Sequence, residues 1–164
     1  MHKPGELLCH PRHGVGIVLE IQEIAMNDKV ASYYLMDMAT GDKMMIPVSQ
    51  TGDGSLTTVP APDAINQTLS APPQALPVDF RQRANEVERK VTSGDSLLLA
   101  EVLRDLTWKM KTSKLSTGDV RMLEVARKLL ANMLVVKPHM DLREAGRRLD
   151  QMLQQAVLTW SISE

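Results

Sequence analysis

The alternation of apolar and polar residues changes rhythm once along the chain. From Gly5 to Val48 the apolar positions come in short runs that tend toward a two-residue period; from Asp79 onward they recur every three or four residues. In the first part, Gly5-Glu6-Leu7-Leu8-Cys9-His10-Pro11 is a short strand-like run that ends at a proline. His13-Gly14-Val15-Gly16 follows, with two glycines that suit a tight turn or bulge. Residues 17–24 alternate from Leu19 on, Asn27-Asp28-Lys29 reads as a turn, and residues 32–38 form the next strand. Thr40-Gly41-Asp42 is another turn, and residues 43–48 are a fourth strand. Four short strands separated by turn signals predict a small, curled antiparallel sheet, an SH3- or Tudor-like β-barrel.

The helical rhythm begins beyond a proline-rich join. Residues 57–62 and 71–77 are rich in proline and nearly uncharged, and they flank a short helix predicted over 63–69 with Asp63 as its cap. Prolines stiffen such segments, so the flanking parts should sit at a restricted angle. Asp79 caps a helix running to about Val91, with Phe80, Ala84, Val87 and Val91 on its apolar stripe. Arg81, Arg83, Arg89 and Lys90 are distributed around its outer surface. Ser93-Gly94-Asp95 opens a second helix, in which Leu98, Val102 and Leu106 repeat at four-residue spacing and Leu99 and Leu103 widen the face. Ser116, with Asp119 three residues on, makes a capping-box start for a third helix. There Met122, Leu123, Ala126, Leu129, Leu130, Met133 and Leu134 keep the period. Pro138 ends that helix, and Asp141 with Glu144 opens a last one through Val157. The pattern therefore predicts an α+β chain: a barrel domain over 1–60, a join over 61–78 and an all-helical bundle of four helices over 79–164.

Composition narrows what this architecture can do. Aliphatic residues and the 11 methionines must supply most of the burial, because aromatics are only 3 % of the 164 residues. The net charge of −1 conceals an asymmetry: residues 1–75 hold 4 Lys/Arg against 8 Asp/Glu, whereas residues 76–164 hold 15 against 12. Any nucleic-acid contact is thus expected in the second half, although solvated helix faces would give the same bias. The single cysteine rules out an intrachain disulfide framework and fits a reducing compartment. With no apolar run of signal or membrane-span length, a cytoplasmic protein is expected. Cys9, His10 and His13 are metal-ligand types, but their spacing is too crowded for a structural zinc site and no second ligand pair follows. They read as turn residues and a buried thiol. Gly14-Val15-Gly16 lacks the third glycine and the βαβ frame of a dinucleotide fingerprint. No nucleophile–base pair, phosphate loop or framed carboxylate pair is present, so neither an enzyme nor a cofactor is expected.

The wording of the helices is more specific than their period. Ser93-Gly94-Asp95, Ala100-Glu101-Val102-Leu103-Arg104-Asp105-Leu106, Leu115-Ser116 and Arg121-Met122-Leu123 resemble the helical C-terminal domain of the CarD/CdnL family of bacterial transcription regulators. The first half is similar too. The family's N-terminal domain, shared with the transcription-repair coupling factor, opens with G-(D/E)-x-V-x-x-P-x-x-G-x-(G/A), which stands here as residues 5–16. Its Tyr-Tyr strand and (V/I)-P-(V/A) strand correspond to Tyr33-Tyr34-Leu35 and Ile46-Pro47-Val48. The resemblance implies binding to the RNA polymerase β subunit by pairing of an exposed strand edge, here Lys43, Met44, Met45, Ile46, Pro47 and Val48. Met44, Met45 and Ile46 could instead pack inside the barrel, and alternation lets both hold.

The resemblance also implies sequence-independent contact with the minor groove of promoter DNA at the upstream edge of the open bubble, by an apolar wedge flanked by basic residues. The family's wedge is a tryptophan just after a proline-containing join; this chain has Phe80, in Leu76-Pro77-Val78-Asp79-Phe80-Arg81-Gln82-Arg83. Phe80 is either that wedge or the first core residue of its helix. Arg81 and Arg83, then Lys109, Lys111 and Lys114 near the helical turn, are the expected phosphate contacts, the three lysines being equally readable as a solvated turn. Trp108 is expected to pack in the bundle; Trp160 has no role by pattern. A second departure is Gly54-Ser55-Leu56-Thr57, which lacks the arginine of the family's G-(L/V)-R element. The implied protein is a monomeric, nucleoid-associated regulator that stabilises the open complex and has no membrane or small-molecule partner. The alternative is an adaptor that keeps sheet-edge binding without a DNA wedge.

Overall fold

A computed structural model of the chain describes residues 1–50, 55–135 and 140–162; Gly54 and Pro138, singled out above, lie outside them. The alternating runs form β1 (Leu7–His10), β2 (Gly14–Met26), β3 (Lys29–Met38), β4 (Lys43–Pro47) and β5 (Thr57–Thr58). All neighbours are antiparallel, in the order β4-β3-β2-β1-β5. Asn27 and Asp28, both at positive φ, make the tight β2–β3 turn, since short polar side chains tolerate the left-handed region.

The expected barrel is not formed: the sheet is open. Its edge strands β4 and β5 lie at opposite ends of the order, and closure would require those edges to meet. β5 has only two residues, pairing with Leu8 and Cys9, and β4 covers only residues 33–37 of β3. The β2–β3 ladder runs past both, to Met26 and Lys29, as a two-stranded ribbon. A register shift between Val18 and Glu20 bends β2 at Leu19 and gives the sheet its curl.

Five helices follow among the described residues: α1 (Pro62–Ser70), α2 (Phe80–Thr92), α3 (Ser96–Thr112), α4 (Thr117–Met133) and α5 (Leu142–Ile162). The local caps form as their chemistry predicts. Asp79 accepts from Gln82 N–H at 2.9 Å, Asp95 from Leu97 and Leu98 N–H, and Asp141 from Arg143 N–H. Ser116 and Asp119 cap each other's backbone N–H groups, both at 3.1 Å. α1 differs from expectation: it begins at Pro62 without a side-chain cap, and Asp63 lies in its first turn. It also packs into the bundle, with Ile65 and Leu69 fully buried against α3 and α5. α5 runs past Val157, and this extra turn delivers Trp160 to the core, where its indole N–H donates to the Leu69 carbonyl at 2.9 Å. Trp108 meets the Trp160 ring edge-on at 6.3 Å.

The two-residue period of β1 divides its side chains between two cores. Leu8 joins Val18, Tyr34, Met36, Met38 and Ile46 within the curl of the sheet, whereas Cys9, with Val15 of β2, belongs to the helical core. Two glycines let the layers approach. Gly14 sits at φ +77°, and a Cβ there would come within 2.7 Å of Asn132 Cβ on α4; a Cβ on Gly94, at φ +73°, would overlap Pro11. The β1–β2 turn is thereby seated against the helices. Burial there pushes the Cys9 thiol up to about 11, so it packs as a small apolar group.

Candidate functional site

Two surfaces gather the chemistry the sequence singled out. The first is the outer edge of the sheet. In β4 alternation turns Ile46 and Met44 toward the sheet core and Lys43 and Met45 outward, with Met45 41 % exposed. The register places Met45 in one row with Leu35 and Glu20, and Pro47 in the next with Tyr33 and Gln22. Val48, half-buried beyond the strand, still donates its N–H to the Ser32 carbonyl at 2.9 Å. The far side of β4 has no neighbouring strand among the described residues, so its backbone donors and acceptors face outward.

The second surface is one end of the helical bundle. The Asp79 cap starts α2 sharply at Phe80, which is 61 % exposed, and Val78 before it is 96 % exposed. Phe80 is therefore not a core residue of its helix. The buried face of α2 consists of Arg83, Val87 and Val91; it keeps Val87 and Val91 of the expected stripe, but Arg83 is buried in place of Phe80 and Ala84, and those two are exposed. Arg81 is exposed. Arg83, expected beside it as a phosphate contact, is only 7 % exposed and turns inward, donating to Asp119 Oδ1 at 3.0 Å and to the carbonyls of Pro77 and Val78. Lys109 is half-buried; its ammonium lies 3.7 Å from Asp119 and donates to the Lys114 carbonyl. Lys111 and Lys114 are exposed.

Asp119 thus ties the starts of α2 and α4 and the end of α3 into one corner. Burial alone would raise its carboxyl pKa, but bonds from Arg83 and Ser116 outweigh burial and hold it below the ordinary value. Beside this corner lies a cavity of about 370 Å³ lined by Leu76, Pro77, Val78, Trp108 and Lys109 among others. Sequence reasoning missed Val78 as part of the exposed tip and Arg83 as an inward group. The four-residue spacing of Arg83, Val87 and Val91 was the available signal for the second.

Cys9 and His10 end β1, and His13 lies in the turn that follows. His10 Nδ1 accepts from the N–H groups of Arg12 and His13, at 3.1 and 3.3 Å, which requires that nitrogen to be unprotonated. Among the described residues no group of three or more His, Cys, Asp or Glu side chains is arranged to hold a metal ion. Burial, then the charges of His13 and Arg12, lower the His10 pKa from 6.5. A His lowered in the fold contributes stability that is complete above the unfolded value of 6.5 and is lost as pH falls below it. His10→Asn keeps an acceptor for both N–H groups and removes the titration. Urea unfolding from about pH 7 to pH 5 should therefore show a shallower loss of stability in this variant than in the parent chain. Parallel curves would exclude the assignment.

Comparison with known proteins agrees with this two-part layout. The family model described as CarD, C-terminal domain, matches residues 64–150, more than half of the chain. The model described as CarD-like/TRCF RID domain matches residues 2–58. The candidate transcription factor YdeB of Bacillus subtilis (strain 168) is 27 % identical over 142 residues, covering 83 % of this chain and 92 % of that protein.

Proposed function

Because the chain belongs to the CarD family of bacterial transcription regulators, we propose that it binds the RNA polymerase β subunit through β4 and grips promoter DNA with the α2 end of its helical bundle, stabilising the open complex. The observation that carries the DNA half is the exposure of Phe80. This is the only phenylalanine in a chain poor in aromatics, and it stands in solvent at the first position of a capped helix. An apolar ring there can wedge into a minor-groove step, replacing lost base stacking. Arg81, Lys111 and Lys114, exposed at the same end, supply phosphate contacts that add affinity without reading sequence. Lys109 supports them from the last turn of α3. In the polymerase half, β4 offers main-chain bonds to a strand of the partner, with Met45 and Leu35 as the apolar side chains beside them. A binding protein needs no reaction, in keeping with a family of non-catalytic regulators. Among the described residues no helix is long and apolar enough to cross a membrane.

Calorimetric titration with an isolated β-subunit fragment tests the anchor. The parent chain should bind at about micromolar strength or tighter, and Met45→Glu should weaken it about tenfold by placing a charge in a desolvated contact. Because Met45 faces outward, the variant should keep its thermal transition. Absence of binding by the parent chain would overturn the polymerase reading.

A further inference from the structure

Arg83 makes three bonds that define where the chain leaves the join and enters α2. Its Nε donates to Asp119 Oδ1 at 3.0 Å, and its Nη1 donates to the carbonyls of Pro77 and Val78, each at 3.2 Å. Those two carbonyls immediately precede the N-cap residue Asp79. Between the two exposed apolar side chains, Asp79 turns its carboxylate back onto Gln82 N–H. Val78 and Phe80 are therefore presented together, on either side of the cap.

Hydrophobicity opposes this arrangement. The cavity of about 370 Å³ beside the tip is lined by Val78 itself, by the apolar Leu76, Pro77 and Trp108 and by the polar Asp105 and Lys109, and moving either exposed side chain deeper against the apolar part would be favourable. An outward tip needs a restraint. A guanidinium suits the task because its rigid planar fork presents separate nitrogens to the carboxylate and to the two carbonyls, a fixed spread that an ammonium on a flexible stem does not have. The anchor is firm as well, since Asp119 is fixed by its capping box with Ser116 at the start of α4.

We propose that Arg83 is a positioning residue that clamps the Pro77 and Val78 carbonyls to α4 and so holds Val78 and Phe80 out of the protein as one two-residue apolar tip. The clamp is a property of the free protein; only its consequence for transcription rests on reading Phe80 as the wedge. The tip also gives this chain a way to work with a phenylalanine, since Val78 adds apolar area next to a ring smaller than tryptophan.

Because Phe80 is the sole phenylalanine, 4-fluorophenylalanine labels this one position in the full chain. The parent protein should give a single fluorine resonance, broadened strongly by a soluble paramagnetic agent. In Arg83→Met the resonance should shift and become protected as the ring turns into the cavity. Lys109, 3.7 Å from Asp119, still supplies a counter-charge that favours folding of the variant. Arg83→Lys keeps the charge pairing and loses the fork, so it should show the same change in weaker form with the helical circular dichroism intact. A parent-like resonance in Arg83→Lys, or in a folded Arg83→Met, overturns the proposal.

The second arm measures the lifetime of the polymerase open complex on a promoter. Arg83→Met should shorten it about fivefold in the parent chain and not further in a Phe80→Ala background, the coupling expected of residues acting through one device. Equal shortening in both backgrounds overturns the positioning role. A shifted resonance with lifetimes unchanged in every variant, Phe80→Ala included, supports the clamp and removes the wedge reading.

Discussion

Asp105→Ala is expected to destabilise the protein by about 3–5 kcal/mol, the cost of leaving a buried charge without its partner. Asp105 is 2 % exposed and receives the neighbouring guanidinium twice, from Arg104 Nε at 2.7 Å and from Nη2 at 3.3 Å. It also accepts the Gln74 N–H at 3.0 Å, while Arg104 Nη1 reaches the Thr68 carbonyl at 3.1 Å. One ion pair on α3 thus holds the end of α1 and the middle of the proline-rich join. Removing the carboxylate strands both Arg104 and the Gln74 N–H. The sign of the effect depends on the orphan and not on the pair, so replacing both residues by apolar ones of similar volume, Arg104→Met with Asp105→Leu, should cost much less. Urea unfolding of the three chains decides it. If the double variant is as unstable as Asp105→Ala, the ion pair itself carries the stability and the unpaired charge does not.

The same network explains why the join is held in one path. Proline restricts the backbone, but position comes from side chains that consume backbone polar groups: Arg104 at Thr68, Trp160 at Leu69, Asp105 at Gln74 and Arg83 at Pro77 and Val78. Several of these partners lie far apart along the chain, with separations of 36 residues for Arg104 and Thr68 and 91 for Trp160 and Leu69. Such pairings leave no local signature, so the sequence does not announce them. What was legible is what short-range chemistry decides. Asp79, Asp95 and the Ser116–Asp119 box mark helix starts within three residues of themselves, and the four longer strands are announced by short apolar runs between turn signals, with alternation from Leu19 on in the second. The barrel expectation failed because closure depends on whether two distant edges meet, and β5, two residues close to prolines, has no pattern to read. The residue type of Arg83 suggested an outer surface, while its spacing to Val87 and Val91 pointed inward; the distant partner Asp119 decided for the spacing.

Phe80→Ala should have the largest functional effect. Loss of a stacking wedge is worth a few kcal/mol per opened step, so the open complex should decay about tenfold faster or more. Two features of the result would be specific to a wedge. Binding to the β-subunit fragment should not change, since Phe80 lies at the start of α2 and the proposed polymerase contact on β4 at the sheet edge. The dependence of lifetime on salt should also keep its slope, because the ring neutralises no phosphate, whereas Arg81→Gln or Lys111→Gln should lower the slope by about one unit for each phosphate left without its cation. Phe80→Trp, with more stacking area, should lengthen the lifetime. An unchanged lifetime for Phe80→Ala on several promoters would remove the wedge, and the chain would then act as an adaptor through β4 alone. A steeper fall of lifetime with salt in Phe80→Ala would instead mean that the ring had been shielding phosphate contacts, a role no apolar wedge performs.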